Sequence, residues 1–226
     1  MIIATTLRYT EIMSDPDWKD RYYIVDFFRK MAEKYGVGLI SVMNATDIDK
    51  VSDMCDGLII PGSATNIDPS YYGMSPFNPP QPVDEFALDS KLIEAFYKKK
   101  KPILGICGGH QAINVFFGGT LKRVDNSDGH YLDGDVTHKI NIKQGSFVYD
   151  VFQKDEASVN SYHFWEIDRL GYNLKAVAYS SDQVIEAVEN KEDKIFATQW
   201  HPERSFSVGN PIENKIFENF FELCRK

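Results

Sequence analysis

Long apolar runs are missing from this chain. No stretch approaches the roughly 18 consecutive apolar residues that a membrane-spanning helix needs, and residues 1–7, though apolar, lack the basic flank and extended apolar core of a signal peptide. Cysteine is scarce as well: Cys55, Cys107 and Cys224 are odd in number, widely spaced and without a CxxC pair. That pattern excludes a disulfide framework and a zinc finger. A reducing cytoplasm is the expected compartment, where a free thiol can be kept for its chemistry. Positive charge is also in short supply. Twenty-five Lys and Arg against 33 Asp and Glu leave a formal charge of -8. That sign argues against a nucleic-acid polymer or an anionic membrane as partner. The basic run Lys98 to Lys101 closes a predicted helix, where cations favour the macrodipole, and needs no ligand.

What remains is an ordinary globular composition, 43% hydrophobic and 13% aromatic over 226 residues, enough to bury a core as one domain spanning residues 1–226. Short β-branched runs alternate with helical patterns, the sign of a mostly parallel sheet flanked by helices. Strands are expected at 2–6, 38–43, 57–60, 102–106, 174–180, 184–188 and 195–200. Helices are expected at 20–34, 84–99, 111–117 and 212–224. Residues 121–152 suit a small antiparallel appendage of hairpins. The segment 62–82, with prolines at 69, 76, 79, 80 and 82, is a long loop. Long loops inside compact domains are usually functional, so this one is expected to frame a site. Tyr71-Tyr72-Gly73 in it reads equally as a lid or interface and as simple loop packing.

The most informative segment is Gly105-Ile106-Cys107-Gly108-Gly109-His110-Gln111. A cysteine on a strand-to-helix turn projects from the carboxyl end of the sheet, and the glycines behind it let the turn close. The following helix aims its N-terminal N–H groups at the thiol, supplying donors for an oxyanion. A thiol needs a base. His201 lies in Gln199-Trp200-His201-Pro202-Glu203 at the end of a predicted strand, where residues two apart share a side, so Glu203 can orient the imidazole. The other histidines, His110, His130, His138 and His163, match no zinc spacing, and no metal or other cofactor is expected. His110 is expected to brace the elbow and His163 to form pocket wall, while Cys55 and Cys224 read as packing residues.

These two segments, together with Ile59-Ile60-Pro61-Gly62-Ser63 and Gly118-Gly119-Thr120-Leu121, resemble the class I glutamine amidotransferase superfamily over nearly the whole chain. Within it the chain is most similar to the stand-alone γ-glutamyl hydrolase branch, of the γ-glutamyl-γ-aminobutyrate hydrolase and peptidase C26 type. The resemblance implies a flavodoxin-like α/β fold and a cofactor-free thiol hydrolase that releases glutamate from a small γ-glutamyl compound. Cys107 would be the nucleophile, His201 the base and Glu203 its orienter. Gly108 with the Gly62–Ser63 turn would form the oxyanion hole. Gln111, Ser161, Tyr162 and His163 would meet the glutamyl group. After His163 such hydrolases usually carry a second histidine and a glutamine, where this chain has Phe164 and Trp165. The expected substrates are γ-glutamyl polyamine derivatives or a γ-glutamyl phosphoramidate nucleotide of capsule biosynthesis. The alternatives are a glutaminase subunit supplying ammonia to a separate synthase partner and a non-catalytic binding or regulatory protein.

Overall fold

The computed structural model describes residues 1–11, 19–45, 47–125, 127–131, 136–207 and 211–226. Five strands form its parallel heart: β1 (Ile2–Thr6) lies between β4 (Gly38–Val42) and β5 (Gly57–Ile60), followed by β6 (Ile103–Ile106) and β13 (Ile195–Thr198). Every residue of β5, β6 and β13 is buried. Their unbroken apolar sequences follow from helices covering both faces. The same sheet continues antiparallel through β12 (Ile185–Asn190), β11 (Lys175–Ser180), β8 (Val136–Ile142) and β9 (Glu156–Ser161). The expected antiparallel appendage is thus an extension of the main sheet. Two small ribbons stand apart, β2 (Arg8–Glu11) with β3 (Asp20–Tyr23) and β7 (Thr120–Arg123) with β10 (Trp165–Arg169). Among the described residues no helix is long and apolar enough to cross a membrane.

One face of the sheet carries α1 (Asp26–Tyr35) and α8 (Pro211–Cys224), whose Phe28, Met31, Phe217 and Phe221 join Ile3, Leu104 and Trp200 in one core. The other carries α3 (Glu85–Lys98) and α4 (Gly108–Phe116), packing Leu92, Phe96 and Ile113 onto Ile60 and Ile103. The helix α1 ends where Gly36 turns left-handed at φ 60°, the conformation that glycine adopts at least cost. The shorter helices are α2 (Ile48–Met54), α5 (Ser127–His130), α6 (Phe147–Phe152) and α7 (Pro202–Ser207).

Three sequence expectations change. Residues 20–34 are not one helix: Tyr22 and Tyr23 pair across β2 with Tyr9 and Arg8, and extended Val25 (φ -66°, ψ 140°) separates them from α1. Aromatic cross-strand pairing outweighs the helical spacing there. The helix α2 is additional, a seven-residue element too short to show a clear apolar period. Residues 121–152 are not successive hairpins, since β7 pairs with β10 and β8 with β9 and β11, with α5 and α6 in the same span.

Candidate active site

The turn between β6 and α4 holds Cys107 at φ 51°, ψ -102°, a backbone region costly for a side-chain-bearing residue. Two contacts enforce it. The Cys107 N–H donates to the Thr198 carbonyl of β13 at 2.8 Å. A Cβ on Gly109 would stand 2.1 Å from the Ile60 carbonyl oxygen, so only glycine lets α4 start this close to β5. Helix α4 therefore begins directly behind the thiol, which is 6% exposed.

His201 leaves the end of β13 beside this elbow. Its Nδ1 lies 2.6 Å from Glu203 Oε1, a charge-assisted distance. Burial opposes a charged ring, but Glu203 and the Cys107 sulphur outweigh it and hold the His201 pKa well above its ordinary value. The loop after β5 closes the triangle: a Cβ on Gly62 would come within 2.9 Å of His201 Cε1 and 3.5 Å of Cys107 Cβ. One step further, the Ser63 backbone nitrogen lies 3.0 Å from the point a Gly108 Cβ would occupy. Gly62, Ser63, Cys107, Gly108, His201 and Glu203 are thus brought to one place.

They open on a cavity of about 420 Å³, within the usual size of a small-molecule site. Tyr23, Phe27, Lys30, Tyr162 and Arg204 line it with Cys107, the Arg204 guanidinium lying over the Tyr162 ring at 5.4 Å. Of the residues 161–163, Tyr162 lines the cavity and its carbonyl lies 3.8 Å from Cys107 Sγ. The Ser161 and His163 side chains point inward instead. Ser161 donates to the His130 carbonyl, and His163 is 2% exposed. A pocket-wall role for the His163 ring is therefore corrected: alternation along the chain turns it to the opposite side from Tyr162. Gln111 is buried too, its amide donating to the Trp165 carbonyl at 2.8 Å and to Gln199 Oε1 at 3.2 Å. His110 braces the elbow through Gln199 Oε1 at 3.1 Å, and burial pushes its pKa down to about 4, leaving a neutral ring. Of the long loop, residues 62–64 line the cavity, whereas Tyr71 packs edge-on against Phe86 and donates to Asp84, so it closes over α3 and not over the thiol. Cys55 and Cys224 are packing residues whose thiols burial pushes up to about 11 and about 12.

Three supporting residues escape a sequence reading. Asn160 on β9 grips the His201 backbone from both sides, accepting from its N–H at 3.0 Å and donating to its carbonyl at 2.8 Å. Gln199 donates to Cys107 Sγ at 3.6 Å while accepting from Gln111. Buried Arg8 ties Asp89 of α3 (2.9 Å) to the Pro61 carbonyl (2.7 Å), which fixes the Gly62 turn. Gln199 stands in the His201 segment, but its contact, like those of Asn160 and Arg8, cannot be read there, because each acts on a residue at least 41 positions away.

A parallel sheet covered on both faces, with a cysteine elbow at the carboxyl edge and a histidine–carboxylate pair beside it, defines a glutamine amidotransferase-like fold. The chain belongs to the Peptidase C26 family, whose model matches residues 2–203. It is 31% identical to the glutamine amidotransferase-like protein YvdE of Lactococcus lactis over 94% of each chain. It is 28% identical to the gamma-glutamyl-CDP-amidate hydrolase of Campylobacter jejuni over 61% of this chain and 59% of that one. Identity to the gamma-glutamyl-gamma-aminobutyrate hydrolase of Escherichia coli O157:H7 is 26% over 79% and 75%. The crystal structure of a glutamine amidotransferase from Thermotoga maritima superposes with a TM-score of 0.63, at 14% identity and covering 97% of this chain and 90% of that one, which speaks to the fold.

Proposed function

We propose that the protein hydrolyses the γ-glutamyl amide bond of a small cytoplasmic compound through a thioester on Cys107, releasing L-glutamate. The observation that carries this reading is the meeting of Cys107 with a Glu203-bonded His201 at the floor of one cavity. Glu203 accepts the Nδ1 proton and so leaves Nε2 for chemistry. That nitrogen is buried and has no hydrogen-bond partner among the described residues. The raised pKa of the ring lets it hold the proton taken from the Cys107 thiol while Sγ attacks the γ-carbonyl carbon. The oxyanion forms against the N–H groups of Gly108 and Ser63, donors worth about 3 kcal/mol each in comparable sites. Collapse breaks the C–N bond and expels the amine, which carries away the His201 proton. Water, deprotonated by the same nitrogen, then attacks the thioester, and glutamate leaves as the thiol is restored.

The names of two relatives support a γ-glutamyl amide as the substrate class. The cavity lining includes Arg204, the rings of Tyr23 and Tyr162, and Lys30 paired with Asp26 at 3.0 Å. The rings and the guanidinium offer stacking and charge to a planar anionic leaving group such as a phosphoramidate nucleotide, while Asp26 offers a partner to an amine. The test is glutamate release, followed by mass spectrometry, from γ-glutamyl amides of both kinds. The Cys107→Ala variant should lose at least about 10³-fold in turnover. Full activity in that variant rejects the mechanism, and activity that appears only with an added synthase supports a glutaminase subunit instead.

A further inference from the structure

Beneath the Tyr162 segment, away from the cavity, four side chains from separate elements converge: His130 at the end of α5, His138 on β8, His163 after β9 and Glu186 on β12. His130, His163 and Glu186 are 1%, 2% and 0% exposed. Each ring is held at its outer nitrogen by an oxygen. His163 Nδ1 lies 3.0 Å from the Trp165 carbonyl, His138 Nδ1 3.0 Å from the Gly129 carbonyl, and His130 Nε2 3.1 Å from the Asp182 carboxylate. A carbonyl only accepts, so the Nδ1 atoms of His163 and His138 carry protons. His130 Nε2 does the same against the carboxylate. In the neutral rings the three remaining nitrogens, His130 Nδ1, His138 Nε2 and His163 Nε2, present lone pairs, and a proton on His130 Nδ1 or His163 Nε2 would make a hydrogen bond between those two.

All three are turned toward one carboxylate oxygen. Glu186 Oε1 lies 3.6 Å from His130 Nδ1, 3.3 Å from His138 Nε2 and 3.6 Å from His163 Nε2, while His130 Nδ1 and His163 Nε2 are 3.0 Å apart. Lone pairs facing a carboxylate in a dry interior repel unless positive charge sits among them. Protons on the rings would draw the nitrogens to about 2.7 to 2.9 Å from the oxygen, the charge-assisted range, and the His201 pair is closer still at 2.6 Å. Instead both Glu186 oxygens are buried without a hydrogen-bond partner. The separations of 3.0, 3.6 and 3.6 Å bracket the roughly 3.3 to 3.4 Å between neighbouring ligands of a tetrahedral ion with bonds of about 2.0 to 2.1 Å. Outer nitrogens bonded to carbonyl and carboxylate oxygens are the usual support of ligating histidines.

From this geometry we infer a structural site for a divalent cation of the zinc type, ligated by His130 Nδ1, His163 Nε2 and Glu186, with His138 Nε2 as fourth donor after a small side-chain adjustment. Two imidazoles and a carboxylate suit a borderline ion such as Zn(II) or Co(II) better than Mg(II) or Ca(II). Burial keeps substrate away from it. Its effect is to pin residue 163 to β8 and β12. Tyr162, whose carbonyl faces Cys107 Sγ, is thereby held in register with the nucleophile. The inference rests on the arrangement of these four side chains and not on the hydrolase reading.

The experiment uses the full chain without an affinity tag. Elemental analysis by plasma mass spectrometry should find about one zinc per chain as purified, or after incubation with Zn(II) and desalting. The melting temperature should fall on chelation and recover with Zn(II), and Co(II) loading should give the visible absorption of a tetrahedral nitrogen–oxygen site. Glu186→Gln and His130→Ala should lose the metal, whereas Cys107→Ala should keep it. A folded protein that takes up no stoichiometric Zn(II) or Co(II), with a melting temperature indifferent to both chelator and metal, overturns the proposal. So does retention of the ion by a folded Glu186→Gln or His130→Ala protein.

Discussion

The molecule contains two histidine–glutamate clusters built from the same chemical parts and spaced for different work. At His201 the imidazole and Glu203 stand 2.6 Å apart beside an open cavity. Around Glu186 three imidazoles stand off at 3.3 to 3.6 Å within the interior. The first spacing is that of a shared proton. It polarises a ring that must gain and lose a proton during turnover. The second leaves room for an ion between the rings and the carboxylate. Distance and access, more than residue identity, separate a catalytic pair from a structural cluster.

The sharpest way to break this contrast is to neutralise each carboxylate in turn. Glu203→Gln should lower kcat for glutamate release by about 10³-fold or more. An amide can donate to Nδ1 and so stabilise the wrong tautomer, an effect of up to about 10⁴-fold in related triads. Glu186→Gln should instead change metal content and melting temperature, with a far smaller change in kcat. Steady-state kinetics and calorimetry on both variants decide it. Equal losses of kcat would erase the division between the two clusters.

The pH dependence sharpens it further. The folded state holds the His201 pKa above the ordinary value of about 6.5. A raised pKa means that the charged ring stabilises the fold fully below that ordinary value and ceases to do so as pH rises through the folded one. The melting temperature of the protein relative to His201→Asn should therefore be most favourable near pH 6 and decline as pH rises. A difference that grows with pH contradicts the assignment of the positive ring.

Legibility from sequence follows the same divide. The elbow could be read because an apolar strand abutting Cys107-Gly108-Gly109 encodes its geometry locally, and the Glu203 partner lies two residues from its histidine. The Glu186 cluster could not, since its members stand at 130, 138, 163 and 186 and meet only when the antiparallel strands β8, β9 and β12 align. No ligand spacing of a compact zinc motif survives such separation. The parallel heart was equally plain in its apolar runs. The ribbon of β2 and β3 was not, because its pairing depends on Tyr22 and Tyr23 meeting Tyr9 and Arg8 more than ten residues earlier in the chain.

Asn160 joins the two regions, and its removal is the mildest test. It leaves β9, the strand that also delivers His163, and holds the His201 main chain at both N–H and carbonyl. Without it the His201 N–H at the site wall needs another acceptor, at a cost of about 1 to 3 kcal/mol, while the His201 carbonyl keeps the Arg204 N–H at 3.1 Å. Asn160→Ala should lower kcat by about 10-fold with little change in KM, since binding contacts are untouched and only the base is loosened. Asn160→Asp should restore the accepting half alone, recovering part of the rate. A fall confined to KM would place Asn160 on the substrate and not behind the histidine.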